Sequence, residues 1–305
     1  MAFESGSEPC EFEILDARFD DCIRKSARLE RLASGCRWTE GPVYIPAQRR
    51  LLWSDIPNER MLSWCEVSGH VAEFRRPSGY TNGHTLDRQG RLVSCEQGGR
   101  RVVRTEHDGS ITVLASHFEG KRLNSPNDVV VKADGTVWFT DPPYGICDDY
   151  EGVRAPQEQS GCWVYRLDPA SGELRVVADN LVHPNGLAFS PDERCLYVAD
   201  TGVERGTMHR FAVDADGSLS GGEVFIHCDT GFYDGFRCDT EGRVWTSAGR
   251  AIHCHAPDGT LIGRIRVPER VSNVSFGGPK RNRLFICATS SVYSVLLAVN
   301  GVKPC

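Results

Sequence analysis

Residues 127–141 read NDVVVKADGTVWFTD. Asn127 opens the run, three valines follow, Asp134-Gly135 interrupts it, and Val137-Trp138-Phe139-Thr140 resumes it. β-Branched and aromatic residues favour strands, and Asp-Gly supplies the positive φ that a tight hairpin needs. The stretch therefore predicts two antiparallel strands with one polar residue at the entrance of the first. The same pattern recurs along the chain. Glu40 precedes Leu51, Asn82 precedes Leu92, Asn185 precedes Leu196, Asp234 precedes Val244 and Asn273 precedes Leu284, each by 10 or 11 residues. The second strands read LLWSD, LVSCE, VWFTD, LYVAD, VWTSA and LFICA, spaced by 41, 45, 59, 48 and 40 residues. That period is the one expected of propeller blades. The fold class is all-β, a six-bladed β-propeller.

Blades around one axis bring equivalent positions together, so the repeated polar residues predict a ring of Glu40, Asn82, Asn127, Asn185, Asp234 and Asn273. Four of the six are followed directly by Gly, which lets backbones crowd near the axis. Carboxylate and amide oxygens are the donors that calcium takes. Glu40 and Asp234 would balance a divalent charge, and Asn127 and Asn185 would add neutral carbonyl oxygens. Zinc, magnesium and manganese are further candidates, although no Cys or His occupies a ring position. Asn, Asp and Gly also belong at turns, and repeated blades repeat their turns. The pattern alone does not separate the two readings.

The rest of the chain narrows the class. All 305 residues read as one domain, since the repeats run through 40–290 without a break. A net charge of -6 with no basic block argues against a nucleic-acid partner. No apolar run is long enough to cross a membrane. The start, MAFESGSEPCEFEILD (1–16), has neither the basic end nor the apolar stretch of a signal peptide. Thirteen cysteines, none closer than ten positions to another, then point to free thiols in a reducing cytoplasm. Residues 1–35 read as an N-terminal arm, with a short helix or irregular segment within 16–33 and a closing strand at 27–35 that completes the last blade from outside. The insertion PPYGICDDYEGVRAPQEQSG (142–161) reads as a loop over one channel mouth. Trp53, Trp138, Trp163 and Trp245 fit blade core. In His253-Cys254-His255, strand alternation predicts two exposed histidines around a buried cysteine. No interface signature indicates an oligomeric state.

The strings WTEGPVY (38–44), LNSPNDVVVKADGTVWFTDPPYGI (123–146), HPNGLAFSPDE (183–193) and YDGFRCDTEGRVW (233–245) resemble the gluconolactonase / senescence-marker-protein-30 (regucalcin) family. With TNGHTLDRQGRLVSCEQGGRRV (81–102), the chain is most similar to the bacterial gluconolactonases of that family. The resemblance implies a six-bladed propeller that hydrolyses a sugar lactone, D-glucono-1,5-lactone first among the candidates. It implies one divalent cation, calcium first, held by Glu40, Asn185 and Asp234, with Asn127 at the same site contacting metal or substrate. Asp234 is the implied general base, with covalent attack as the alternative. One departure stands out: Ser125 occupies a position where the animal branch has Arg, so sugar contacts do not carry over from that branch. Asn82, His84, Asn124, Tyr144 and His183 lie near ring positions and are candidate substrate contacts. A non-catalytic calcium-binding propeller and a lactonase for another aldonolactone are the rival readings.

Overall fold

The computed structural model describes residues 6–202 and 206–303. Six antiparallel sheets follow one another along the chain, each wound outward from an inner strand. The inner strands are Thr39–Ile45, Thr81–Leu86, Val129–Val131, Pro184–Phe189, Phe236–Cys238 and Val271–Gly277, in blades 1 to 6. Each contacts the inner strands of its two neighbours, and blade 6 meets blade 1, so the ring closes. The Ser272 hydroxyl spans that last seam, donating to the Thr39 carbonyl at 2.6 Å.

Turn chemistry explains the hairpins. Gly109, Gly135, Gly217 and Gly259, each following an Asp, hold φ between 75° and 90°. The second strands are sandwiched between neighbouring blades and are buried along their length, for example Val137–Thr140 and Val244–Ala248. This is why they read as continuous apolar runs rather than alternating ones. Trp53, Trp138 and Trp245 are fully buried, while Trp163 is half-buried against the core between blades 2 and 3.

The N-terminal segment closes the ring. Arg28–Ala33 pairs with Ser291–Leu296 as the fourth strand of blade 6. Gly6–Pro9 then adds a fifth strand outside it, so 27–35 is not the outermost element that its sequence suggested. Phe12–Ile14 caps blade 5 in the same way. Between Phe12–Ile14 and Arg28–Ala33 lies a short 3-10 helix, Ala17–Cys22, whose Phe19 ring fills the space above Gly263. Two strands from the arm thus cover two sheet edges that would otherwise expose unpaired backbone.

The histidines of blade 5 differ from expectation. His253 and His255 are both buried, as is Cys254. Their strand, Ala251–His255, is the third of its blade and is covered on both faces. Alternation separates inside from outside only when one face meets water, and a stacked blade has no such face. Arg264 donates to His253 Nε2 at 3.1 Å, and His255 Nε2 shares a 3.0 Å hydrogen bond with the Tyr233 hydroxyl.

The insertion at 142–161 lies within blade 3, between its second and third strands, and contains one helical turn, Tyr144–Cys147. Its two ends are tied together by Asn124, whose amide donates to the carbonyls of Asp141 and Gly161, each at 3.0 Å. Ser125 Oγ donates to the Pro142 carbonyl at 2.6 Å and accepts from Gly145 N at 2.9 Å.

Candidate active site

At one mouth of the channel a cavity of about 270 Å³ is lined by Glu40, Asn82, Asn127, Asn185 and Asp234. Five of the six repeated polar positions thus converge. The sixth, Asn273, supports the ring from behind: its amide donates to Glu40 Oε2 at 2.9 Å. The backbone explains how they are aimed. In blades 1, 2, 4 and 6 the strand register shifts at the ring residue, between Glu40 and Val43, Thr81 and His84, Pro184 and Leu187, and Val271 and Asn273. Such bulges turn a side chain out of the sheet's alternation and are common beside active sites. The following glycines are dictated by contact. A Cβ on Gly41 would lie 2.0 Å from the Asn82 carbonyl oxygen, and one on Gly186 would lie 2.2 Å from that of Asp234. The backbones of Asn82, Asn127 and Asp234 thus press on Gly41, Gly83 and Gly186 of the preceding blades, while at Gly235 the contact is the Asn273 side chain.

The two carboxylates are in an unusual electrostatic position. Glu40 is buried, and burial first, then the charge of Asp234, hold its carboxyl well above the ordinary range. Asp234 is pushed up to about 7, first by burial and then by the charge of Glu151. A hydrogen bond from Asn185 and the charge of Arg270 oppose that shift without cancelling it. Glu151 descends from the 142–161 loop into the same cavity, and burial raises it to about 7 as well. Meanwhile the side-chain amides of Asn82 and Asn127, both buried, make no hydrogen bond among the described residues. Oxygens in excess, surplus negative charge and unspent amides are the donor set of a hard divalent cation, so these residues fit one. No group of three His, Cys, Asp or Glu side chains suited to a metal occurs among the described residues, and here the amides make up the number.

A pH dependence follows for the metal-free protein. Carboxyls whose folded pKa exceeds the unfolded value bind protons more tightly when folded. Their contribution is fully favourable below about pH 4 and is lost as pH rises through about 7. Chelator-treated protein is expected to melt at a lower temperature at pH 8 than at pH 5.5, and added calcium is expected to narrow the gap. Part of the difference will remain, because buried Asp141 is also raised to about 7 and is held by Asn124 N rather than by any metal position. Equal midpoints at the two pH values, measured by scanning calorimetry, would refute the charge assignment.

The remaining candidates divide. Tyr144 lines the cavity, and its hydroxyl pairs with Thr201 Oγ1. His183 packs edge-on against the Tyr144 ring at 5.6 Å and stands behind the wall rather than in it. Asn124 is fully buried and spends its amide on the loop ends, so it is not a substrate contact in this arrangement. His84 is also displaced. Its Nε2 and Nδ1 are each 2.8 Å from a serine hydroxyl, Ser54 and Ser94, and it borders the opposite mouth of the channel. Burial lowers its pKa to about 3, so it is neutral at physiological pH. The cause is the bulge at Asn82 and Gly83: after it, the strand's side chains point away from the upper cavity.

Sequence reasoning missed Glu151, Arg270, Trp38, Phe232 and Thr201, all of which line the cavity. Trp38 and Phe232 each stand two positions before their ring residues, Glu40 and Asp234, a spacing that could have pointed to them, whereas Arg270, three positions before Asn273, has no counterpart in the cavity. Glu151 is one of several acids in an irregular loop and carries no pattern of its own.

Comparison with known proteins bears on the family and the fold. The family described as SMP-30/Gluconolactonase/LRE-like region matches residues 38–290. The chain is 32% identical to a gluconolactonase of Zymomonas mobilis, over 91% of this chain and 83% of that one. It is 30% identical to a pentonolactonase of Haloferax volcanii, over 83% and 82% of the two chains. Among solved structures, a gluconolactonase from Xanthomonas campestris superposes with a TM-score of 0.90 at 39% identity, covering 97% of each chain. The fold, the span of the match and the lactonase relatives together place the chain in the SMP-30/gluconolactonase/LRE-like family.

Proposed function

We propose that this protein hydrolyses sugar lactones, D-glucono-1,5-lactone to D-gluconate first among them, with a divalent cation held by Glu40, Asn127, Asn185 and Asp234. One observation carries the reading: two carboxylates of raised proton affinity share a cavity with the buried Asn82 and Asn127, whose side-chain amides make no hydrogen bond among the described residues. Calcium is the preferred ion because every donor is an oxygen. When bound, such an ion polarises the lactone carbonyl and offsets the charge that develops on its oxygen.

The chain's own residues do the rest. Asp234 accepts a proton from the water that adds to the carbonyl carbon. It returns that proton to the ring oxygen as the ester C–O bond breaks. Glu40, fixed by Gly41 N at 2.8 Å and by Asn273, cannot swing away and serves as an anchor. Asn82, with a free amide, hydrogen-bonds a sugar hydroxyl. Trp38, Phe232 and Tyr144 form the walls that orient the ring and limit access of bulk water. The described cysteines are all free, which fits a reducing compartment, and we place the enzyme in the cytoplasm. No helix among the described residues is long and apolar enough to cross a membrane.

The test is acid release from D-glucono-1,5-lactone, corrected for spontaneous hydrolysis. Chelation is expected to remove at least about nine-tenths of the activity, and calcium to restore it. Full activity after complete metal removal would reject the cation. Inactivity on gluconolactone alongside turnover of five-carbon lactones would move the substrate towards that of the Haloferax relative, which is named a pentonolactonase.

A further inference from the structure

The channel has a second mouth, and its cavity is the larger of the two, about 400 Å³. None of the residues that line it lines the lactone cavity. An ion pair with a buried carboxylate lies between them: half-buried Arg237 of blade 5 donates to Asp128 of blade 3 at 3.2 Å. The two mouths are therefore separate compartments.

The walls of the second cavity are apolar, with Val43, Val130, Ala188 and Phe276 drawn from the inner strands of four blades. Its charges do not balance. Arg237 is committed to Asp128. Glu193 pairs with Lys132 at 3.4 Å and accepts from Ala133 N at 2.9 Å. Asp192 faces Arg194 at 3.8 Å and holds the Ser190 hydroxyl at 2.7 Å. Arg281 is left over. Its guanidinium donates only to the carbonyls of Gly301 and Val302, and it has no carboxylate partner among the described residues. Burial draws its pKa down to about 10. Its backbone sits in the left-handed region, at φ 53°, which is costly for a side chain of this size. Exposed Lys303 adds a second positive charge at the rim. A half-buried, uncompensated guanidinium against an apolar wall matches a ligand with an anionic head and a hydrophobic body.

We propose that this second mouth is a binding site for a small amphipathic anion, a carboxylate or sulfonate whose head is held by Arg281. The site is independent of the lactone chemistry. The probe is 8-anilinonaphthalene-1-sulfonate, read by fluorescence titration on the 305-residue protein. Saturable binding at one site is expected, displaced by decanoate at concentrations at least tenfold below those needed with decanol. Arg281→Gln is expected to weaken binding about tenfold or more, and Arg281→Lys, which keeps the charge, no more than about threefold. Lactone hydrolysis is expected to stay unchanged in both variants, which also reports that they are folded. Loss of probe binding in Asp234→Asn would place the probe in the lactone cavity and overturn the proposal. So would equal weakening by the Gln and Lys variants, or equal displacement by decanol and decanoate.

Discussion

Asp234→Asn is expected to lower kcat/KM for D-glucono-1,5-lactone by about 10³-fold or more. The substitution keeps the shape of the side chain and the backbone bond from Asp234 N to Ser247 Oγ at 2.9 Å. It removes the charge that would help hold a cation and the group proposed to take the proton from water. General-base catalysis alone is worth about 10² to 10⁴ in rate. In the metal-free site burial and the nearby charge of Glu151 raise the proton affinity of this carboxylate, and a bound cation would lower it. By contrast, Asn82→Ala would remove only the single neutral hydrogen bond proposed to a sugar hydroxyl and is expected to cost about tenfold, mostly in KM. The measurement is initial-rate acid release at several lactone concentrations, with bound metal quantified in parallel. A variant that keeps its metal and stays within tenfold of the parent would remove Asp234 from the chemistry.

Gly41→Ala is expected to destabilise the fold by about 3–5 kcal/mol and to abolish activity in whatever protein remains folded. Two costs combine. The residue has φ 53°, where an alanine is strained. The new methyl would stand 2.0 Å from the carbonyl oxygen of Asn82, and backbone at a propeller axis has nowhere to retreat. Relief would require blades 1 and 2 to part, which separates Glu40 from Asn82. Gly90→Ala is the control. It also has positive φ, at 76°, but nothing lies within 4 Å of a Cβ built there. Its cost is expected to be only about 1 kcal/mol. Urea unfolding midpoints of the two variants separate crowding from backbone strain. Equal destabilisation would show that the close approach of neighbouring blades is not what requires Gly41.

How much of this was legible in advance depends on whether a feature repeats. The hairpin turns, the inner and second strands and the ring of Glu40, Asn82, Asn127, Asn185, Asp234 and Asn273 recur about every 40 to 59 residues, and a single chain displays that period without any structure. Five of those six side chains line one cavity and the sixth supports it, because rotational repetition alone requires equivalent positions to meet. The family resemblance then assigned chemistry to the ring that spacing by itself left balanced between ligands and turns.

Features that occur once were hidden. His84 lies one residue past a ring glycine, yet the bulge at that point turns it to the far mouth. Register within a bulge depends on how the neighbouring blade packs, and no local pattern encodes it. His253 and His255 seemed exposed because alternation implies a wet face, but stacked blades bury both faces of a third strand. Glu151 and Arg270, the two charges that tune Asp234, come from different parts of the chain and share no motif. The sequence by itself determined the architecture and the ring, since both are consequences of a repeat. Only the tertiary structure decided which charges face Asp234, which histidines are buried, and that Arg281 has no carboxylate partner among the described residues at the second mouth. Each of those depends on which unrelated segments packing brings within a few ångströms of one another.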